Sequence, residues 1–270
     1  MAPMLINGVA SDQVSLDDRG LLYGDGVFRT MRLQEGQVQH WPRHYRKLHQ
    51  DCDVLDIACP QAVLLQDELQ HLSRHQPDGI AKIIITRGVQ QNRGYAPSPN
   101  PVPTRILILF PAPDIPSHFA TQGIRLRLCD LRLSQQPRLA GIKHLNRLEN
   151  VLAAAEWNDP QIAEGLLLDT AGNVIGGTRS NLFIVRGREL HTADLARCGV
   201  AGMQRERIIE WAGKQDMRCH IGHYQLADVL EADELFLVNS VIGLWPVREL
   251  QTRIWNQHPI SLQVQNWLNG

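Results

Sequence analysis

The period of apolar and polar positions changes several times in the first hundred residues, and each change marks an element. MLINGV, from Met4, reads as a short strand, and residues 42 to 56 and 61 to 75 carry apolar side chains at helical spacing. IAKIIIT (80–86) and RILILF (105–110) read as buried strands, separated by the Pro-punctuated loop GYAPSPNPVP (94–103). FPAPDIPSHFATQ (110–122) has the composition of a linker between compact units.

Past the linker, IRLRLCDLRL alternates apolar with polar, and a turn containing Pro137 leads into LAGIKHLNRLENVLAAAE. There Leu145, Leu148, Val151, Leu152 and Ala155 fall at helical spacing, which puts Lys143 where a loop or strand enters a helix. GLLLDTAGNVIG and NLFIVRGRELHT read as hairpin-like strand pairs, followed by a helix near 203 to 213, a strand over ELFLVNS (234–240) and a closing helix at SLQVQNWL. The pattern predicts an α/β (α+β) chain of two domains: a smaller one over 1–110, a linker over 111–122 and a larger one over 123–270.

Composition narrows the function classes. The chain has 270 residues, 43% hydrophobic and 20% charged, and no apolar run approaches a membrane span, so disordered, fibrous and membrane-spanning proteins are excluded. MAPMLINGVASDQ lacks the basic and apolar regions of a secretory signal, which makes the cytoplasm the expected location. With 27 basic and 28 acidic residues there is no bulk electrostatic case for nucleic acid or an anionic membrane. The five cysteines (Cys52, Cys59, Cys129, Cys198 and Cys219) form no CxxC, which argues against a disulfide framework or a thiolate metal site.

Candidate chemistry is sparse. His71 and His75, four apart, and His220 and His223, three apart, can each share a helix face, but neither pair has a third ligand, and no metal is expected. Gly24-Asp25-Gly26 opens like a dinucleotide fingerprint but meets Arg29 where a third glycine is needed. Only four of the 27 basic residues are lysines: Lys47, Lys82, Lys143 and Lys214. Lys47 and Lys214 fit solvated helix faces and Lys82 lies among apolar residues in a strand, whereas Lys143 sits at an element junction with Arg147 one turn on. An amine that attacks a carbonyl must spend time deprotonated, and burial or a neighbouring cation favours that state.

SLDDRGLLYGDGVFRTMRL, IAKIIITRG with RGYAP, LAGIKHLNRLENVLAAAEW, SNLFIV and RCGVAGMQRERI together resemble the fold-type IV pyridoxal-phosphate enzymes, from about residue 5 to about residue 250. AGIKHLNRLE is most similar to the aminodeoxychorismate lyase branch of that family. The resemblance implies a D-amino-acid-aminotransferase-like fold with a barrel-like sheet in the larger domain, pyridoxal 5'-phosphate as cofactor, and a homodimer. It also implies 4-amino-4-deoxychorismate as small-molecule substrate, cleaved to 4-aminobenzoate and pyruvate in folate biosynthesis. Lys143 would form the Schiff base and carry the proton; Met203, Gln204, Ser240 and Val241, with Arg46 and Lys47, would hold the phosphate; and Thr30, Arg29, Arg93, Tyr95 and Asn239 would face the substrate.

Three positions depart from the family pattern. Lys47 stands where an arginine is usual, Gly176 where a glutamate holds the pyridine nitrogen, and Arg29 where GDGxFE ends in glutamate. A class IV aminotransferase acting on D- or branched-chain amino acids is an alternative within the same fold, and the three departures motivate another, a degenerate member with little or no cofactor binding. Loss of the carboxylate at 176 weakens the cofactor's electron sink and bears harder on a transaminase than on a lyase driven by aromatisation.

Overall fold

The computed structural model describes residues 3–74, 76–90 and 93–269. The chain forms two compact units, one running to Asp114 with Ile142–Asn146 added, the other comprising Ile115–Gly141 and the chain from Arg147 onward.

The first unit contains β1 (Met4–Ile6), β2 (Val9–Ala10), α1 (Arg19–Tyr23), β3 (Gly26–Gln34), β4 (Gln37–Val38), α2 (Trp41–Val54), α3 (Ala62–Ser73), β5 (Gly79–Thr86) and β6 (Thr104–Phe110). Its six strands form an antiparallel sheet in the order β2-β1-β6-β5-β3-β4. Successive side chains on a strand point to opposite faces. One face carries Val27, Met31, Leu33, Ala81, Ile83, Ile85, Leu107 and Leu109, packed with Leu48 and Cys52 of α2 and Leu65, Leu69 and Leu72 of α3. Truncating such a side chain, as in Leu107→Ala, costs about 2–5 kcal/mol. The other face presents Phe28, Thr30, Lys82, Ile84, Ile106 and Ile108, all half-buried. The isoleucines there make IAKIIIT look uniformly apolar in sequence, although its two faces differ.

Residues 142–146 extend this sheet. Phe28 N donates to Lys143 O (2.9 Å), Leu145 N donates to Gly26 O (2.9 Å), and Val27 and His144 form an antiparallel bridge. The segment thus pairs with the edge of β3 that β4 leaves uncovered.

The second unit contains α4 (His118–Gln122), β7 (Ile124–Leu133), α5 (Leu148–Ala154), β8 (Ile162–Asp169), β9 (Val174–Gly177), β10 (Asn181–Arg186), β11 (Glu189–Ala193), α6 (Met203–Lys214), β12 (Cys219–Gly222), α7 (Leu226–Leu230), β13 (Glu234–Asn239), β14 (Gly243–Leu250), β15 (Arg253–Ile254) and α8 (Pro259–Asn269). Its sheet runs β12-β11-β10-β13-β14-β7-β8-β9, with β15 paired to β14. The pairs β11·β12, β14·β7 and β7·β8 are parallel. A tight turn sends β9 directly into β10, five places away in the sheet order, so the sheet curls. Both faces are covered: Leu182, Ile184, Leu235 and Leu237 pack with Trp245 and Trp255, while Phe183, Val185, Phe236 and Val238 pack with Ile208 and Trp211 of α6 and Val264 of α8. Double burial is why NLFIV and ELFLV read as unbroken apolar runs.

Two expectations change. The helix predicted from Leu145 starts only at Leu148, because Ile142–Asn146 is committed to β3, and its apolar side chains Leu148, Val151 and Leu152 are exposed. Part of the expected linker is α4, whose Phe119 packs on Trp245 in the second unit. Among the described residues no helix is long and apolar enough to cross a membrane, and none group as a metal site. His75 lies outside the described residues; His220 contacts Glu189 and stacks on His191.

Candidate active site

Pairing with β3 decides where the Lys143 side chain goes. Residues directly opposed across an antiparallel pair share a face, and the Val27–His144 bridge sets Lys143 opposite Phe28. Lys143 Nζ lies 4.4 Å from the Phe28 ring centroid, on the half-exposed face that also carries Thr30. Lys82 Nζ lies 5.2 Å from the same centroid. This unit therefore gathers two amines around one aromatic ring, with Thr30 on the same strand face. Lys82 is a residue that sequence reading passed over; its alternation with Ala81 and Ile83 was the available signal.

Arg29 was expected to face the substrate. Alternation instead sends it to the opposite face, where it is 3% exposed and paired with Asp51 of α2. Asp51 Oδ2 also accepts the backbone N–H of Lys143 (3.2 Å), and Arg29 Nη2 donates to the carbonyl of Lys47 (3.0 Å). Burial raises the Asp51 carboxyl above its ordinary range, against the opposing pull of Arg29 and the Lys143 amide. Beside them His44 is pushed down to about 3, first by burial and then by the charge of Arg29 and His40. Lys47 is half-buried on α2 and Arg46 is exposed.

The loop bearing Arg93 and Tyr95 is tied by its backbone. Buried Arg19 donates to Gly94 O (3.3 Å) and Tyr95 O (2.6 Å), which leaves the Arg93 and Tyr95 side chains exposed. Asp25 accepts from Arg19 Nε and Arg87 Nε, both at 2.8 Å, so the GDG turn serves as a structural cross-link. Burial alone would raise the Asp25 carboxyl, but these two arginines hold it below the ordinary range.

In the second unit the candidate groups are mostly main-chain. Helix α6 begins at Met203 after Gly202, and no side chain caps its first turn, so its leading N–H groups are donors suited to an anion. Gly202 N donates to Asn181 Oδ1 (3.1 Å), and a Cβ on Gly202 would collide with that oxygen. The Gln204 side chain is engaged with Arg207 (2.9 Å). Asn239 Oδ1 accepts from Val241 N (2.8 Å) and Ile242 N (2.9 Å). Asn239 thus shapes the turn, and Ser240 is the residue of the 240–241 pair with a side-chain oxygen to offer.

At Gly176 a Cβ would stand 2.8 Å from the Ser180 carbonyl oxygen, because the turn closed by Gly177 N and Ser180 O (2.8 Å) folds directly over it. A glutamate does not fit this backbone. A buried carboxylate is present nearby on β8: Glu164 accepts from the Thr178 hydroxyl, Thr178 N (3.1 Å) and Ser180 Oγ (3.1 Å), and pairs with Arg179 (3.4 Å). Glu164, like Asp51, was missed in sequence; its signal was an acid inside an otherwise apolar strand.

Each unit, taken by itself, offers groups of a kind that suits one part of pyridoxal phosphate. A lysine amine on an open face can trap an aldehyde, and an uncapped helix start with a glycine approach can receive a phosphate. At position 176, where the resemblance expects a glutamate for the pyridine nitrogen, the chain has a glycine and no carboxylate.

Residues 26–250 match the family model for amino-transferase class IV. The chain is 35% identical over 247 residues to the aminodeoxychorismate lyase of Vibrio harveyi, covering 90% of this chain and 89% of that one. It is 30% identical to a putative branched-chain-amino-acid aminotransferase of Methanocaldococcus jannaschii, with 95% and 90% coverage. The crystal structure of 4-amino-4-deoxychorismate lyase from Pseudomonas aeruginosa superposes with a TM-score of 0.95 at 41% identity, covering 98% of both chains.

Proposed function

The chain belongs to the aminotransferase class IV family, and from that membership we propose that it is a pyridoxal-phosphate-dependent lyase that converts 4-amino-4-deoxychorismate to 4-aminobenzoate and pyruvate. The observation that carries the reading is the Lys143 amine over Phe28, on one face with Thr30 and Lys82.

Pyridoxal phosphate, when bound, supplies an electron sink for the bonds rearranged beside the substrate's amine. Lys143 is the amine that would hold it, and Lys143 Nζ is the base that would take the proton from the ring carbon bearing the substrate's amine. The ring becomes aromatic as the enolpyruvyl ether bond breaks, and the proton goes to the departing methylene carbon, giving pyruvate. Thr30, on the same face, offers a hydroxyl for that delivery, and Lys82 and Arg93 offer positive charge to the substrate's two carboxylates. The N–H groups at the start of α6 and the Ser240 hydroxyl are the groups of the second unit that would suit its phosphate, and Lys47 is the candidate cation of the first. The absent carboxylate at 176 favours the lyase over the aminotransferase reading, since aromatisation supplies driving force that a transaminase lacks.

Added pyridoxal phosphate should produce a visible absorbance that Lys143→Ala removes, together with 4-aminobenzoate and pyruvate formation. A Lys143→Ala protein that makes 4-aminobenzoate as fast as the parent overturns the proposal. The aminotransferase reading, favoured by the 30% identity to the Methanocaldococcus protein, predicts cofactor spectral changes with D-alanine or branched-chain amino acids. The exposed apolar side chains Leu148, Val151 and Leu152 on α5 support a homodimer. The five cysteines are all free thiols, which supports work in the reducing cytoplasm.

A further inference from the structure

The Arg29–Asp51 pair has both partners 3% exposed, beneath α2 on the covered face of the six-stranded sheet. Buried ion pairs contribute little net stability, and apolar side chains of similar volume fill such a space equally well. What apolar side chains cannot do is grip the main chain. Here Asp51 Oδ2 takes the N–H of Lys143 at 3.2 Å, while Arg29 Nη2 reaches the carbonyl of Lys47 at 3.0 Å. One ion pair therefore touches the backbone of the residue assigned to the cofactor's aldehyde end and of the residue assigned to its phosphate end. Arg29 and Lys47, which touch each other through the Lys47 carbonyl, are also two of the three departures from the family pattern.

We propose that Arg29 and Asp51 are positioning residues that form a clasp, fixing the Lys143 and Lys47 main chains relative to each other so that one pyridoxal phosphate engages both. This rests on the reading of Lys143 as the Schiff-base amine and Lys47 as a phosphate cation. The clasp acts through those two residues and touches no reacting atom.

The test compares two aldehydes on the cofactor-free full-length chain: pyridoxal phosphate and pyridoxal, which lacks the phosphate. The ratio of their dissociation constants, read from absorbance titrations, measures how well the phosphate end is used when the amine end is engaged. In the double variant Arg29→Met with Asp51→Leu, which keeps the space filled without a buried charge, that ratio should shrink about tenfold, within the coupling range of a shared buried network. Circular dichroism and a melting curve establish that the variant is folded. An unchanged ratio overturns the clasp, whether both affinities hold or both fall by the same factor. As a second variant, Asp51→Asn, whose amide oxygen still accepts the Lys143 N–H, should keep a ratio between those of the parent and the double variant; a ratio equal to the parent's overturns a role for the charge. Lys143→Ala separates the two levels. If it still gives a borohydride-reducible adduct, the assigned amine is wrong and the proposed function falls with it; if it loses the adduct while the double variant keeps the parent ratio, only the clasp falls.

Discussion

The candidate groups of the first unit are side chains and those of the second are main-chain groups, and the two sets are sensitive to different changes. Around Phe28 the chemistry depends on what a side chain is: an amine at 143, an amine at 82 and a hydroxyl at 30, placed by strand alternation. At Gly202, Asn239 and Gly176 it depends on where the backbone lies, and side chains there serve to shape turns or are excluded by them. Substitution in the first unit should change the reaction more than the fold. In the second it should change the fold or the affinity more than the reaction.

The contrast breaks most directly at Lys143. Lys143→Ala should lower 4-aminobenzoate formation at least about a thousandfold while leaving the melting temperature within a few degrees of the parent. At Glu164 the balance should reverse. Glu164→Leu leaves the Thr178 N–H and hydroxyl and the Ser180 hydroxyl without their buried acceptor, and should cost about 3 kcal/mol by urea denaturation. A protein of parental stability would mean that the turn below Gly176 does not depend on that carboxylate.

His44 sharpens the comparison through pH. Its folded value of about 3 lies below the ordinary 6.5, so below pH 6.5 the unfolded chain takes up a proton that the folded one refuses. Stability from this residue is thus lost as pH falls from 6.5 towards 3. Between pH 6.5 and 4.5 the loss should be about 2 kcal/mol, and His44→Phe should flatten it in a series of denaturation midpoints. The smallest effect is expected at Asn239→Ala, which removes two turn hydrogen bonds and should cost about 1 kcal/mol, read as severalfold weaker binding of pyridoxal phosphate with little change in pyridoxal binding.

Much of this was legible in the sequence. The strands at 79–86 and 104–110 and the helix at Met203 follow from periodicity, and the paucity of lysines drew attention to Lys143. Less legible was anything set by long-range pairing. Helical spacing drew Leu145 and Leu148 into one helix, but β3 captures Ile142–Asn146 first, a contact more than a hundred residues away in sequence. Arg29 looked like a substrate contact because a motif fixes position, whereas alternation fixes direction. Asp51 lies four residues past Lys47 on α2, but its bond to Lys143 spans 92 residues and leaves no local trace.

The interruption of the first unit also has a consequence for biosynthesis. Its sheet is not finished when residue 114 leaves the ribosome, because the segment that closes the edge of β3 lies at 142–146, after a stretch that belongs elsewhere. At ordinary translation speeds that edge waits roughly a few seconds for its partner. During that interval the second edge of Gly26–Phe28, whose first edge pairs with β5, is open to wrong partners, which makes Lys143 one of the last residues to join its own unit. A fragment ending at residue 114 should therefore be both inactive and prone to associate, and supplying 142–146 in cis by circular permutation should cure the second fault before the first.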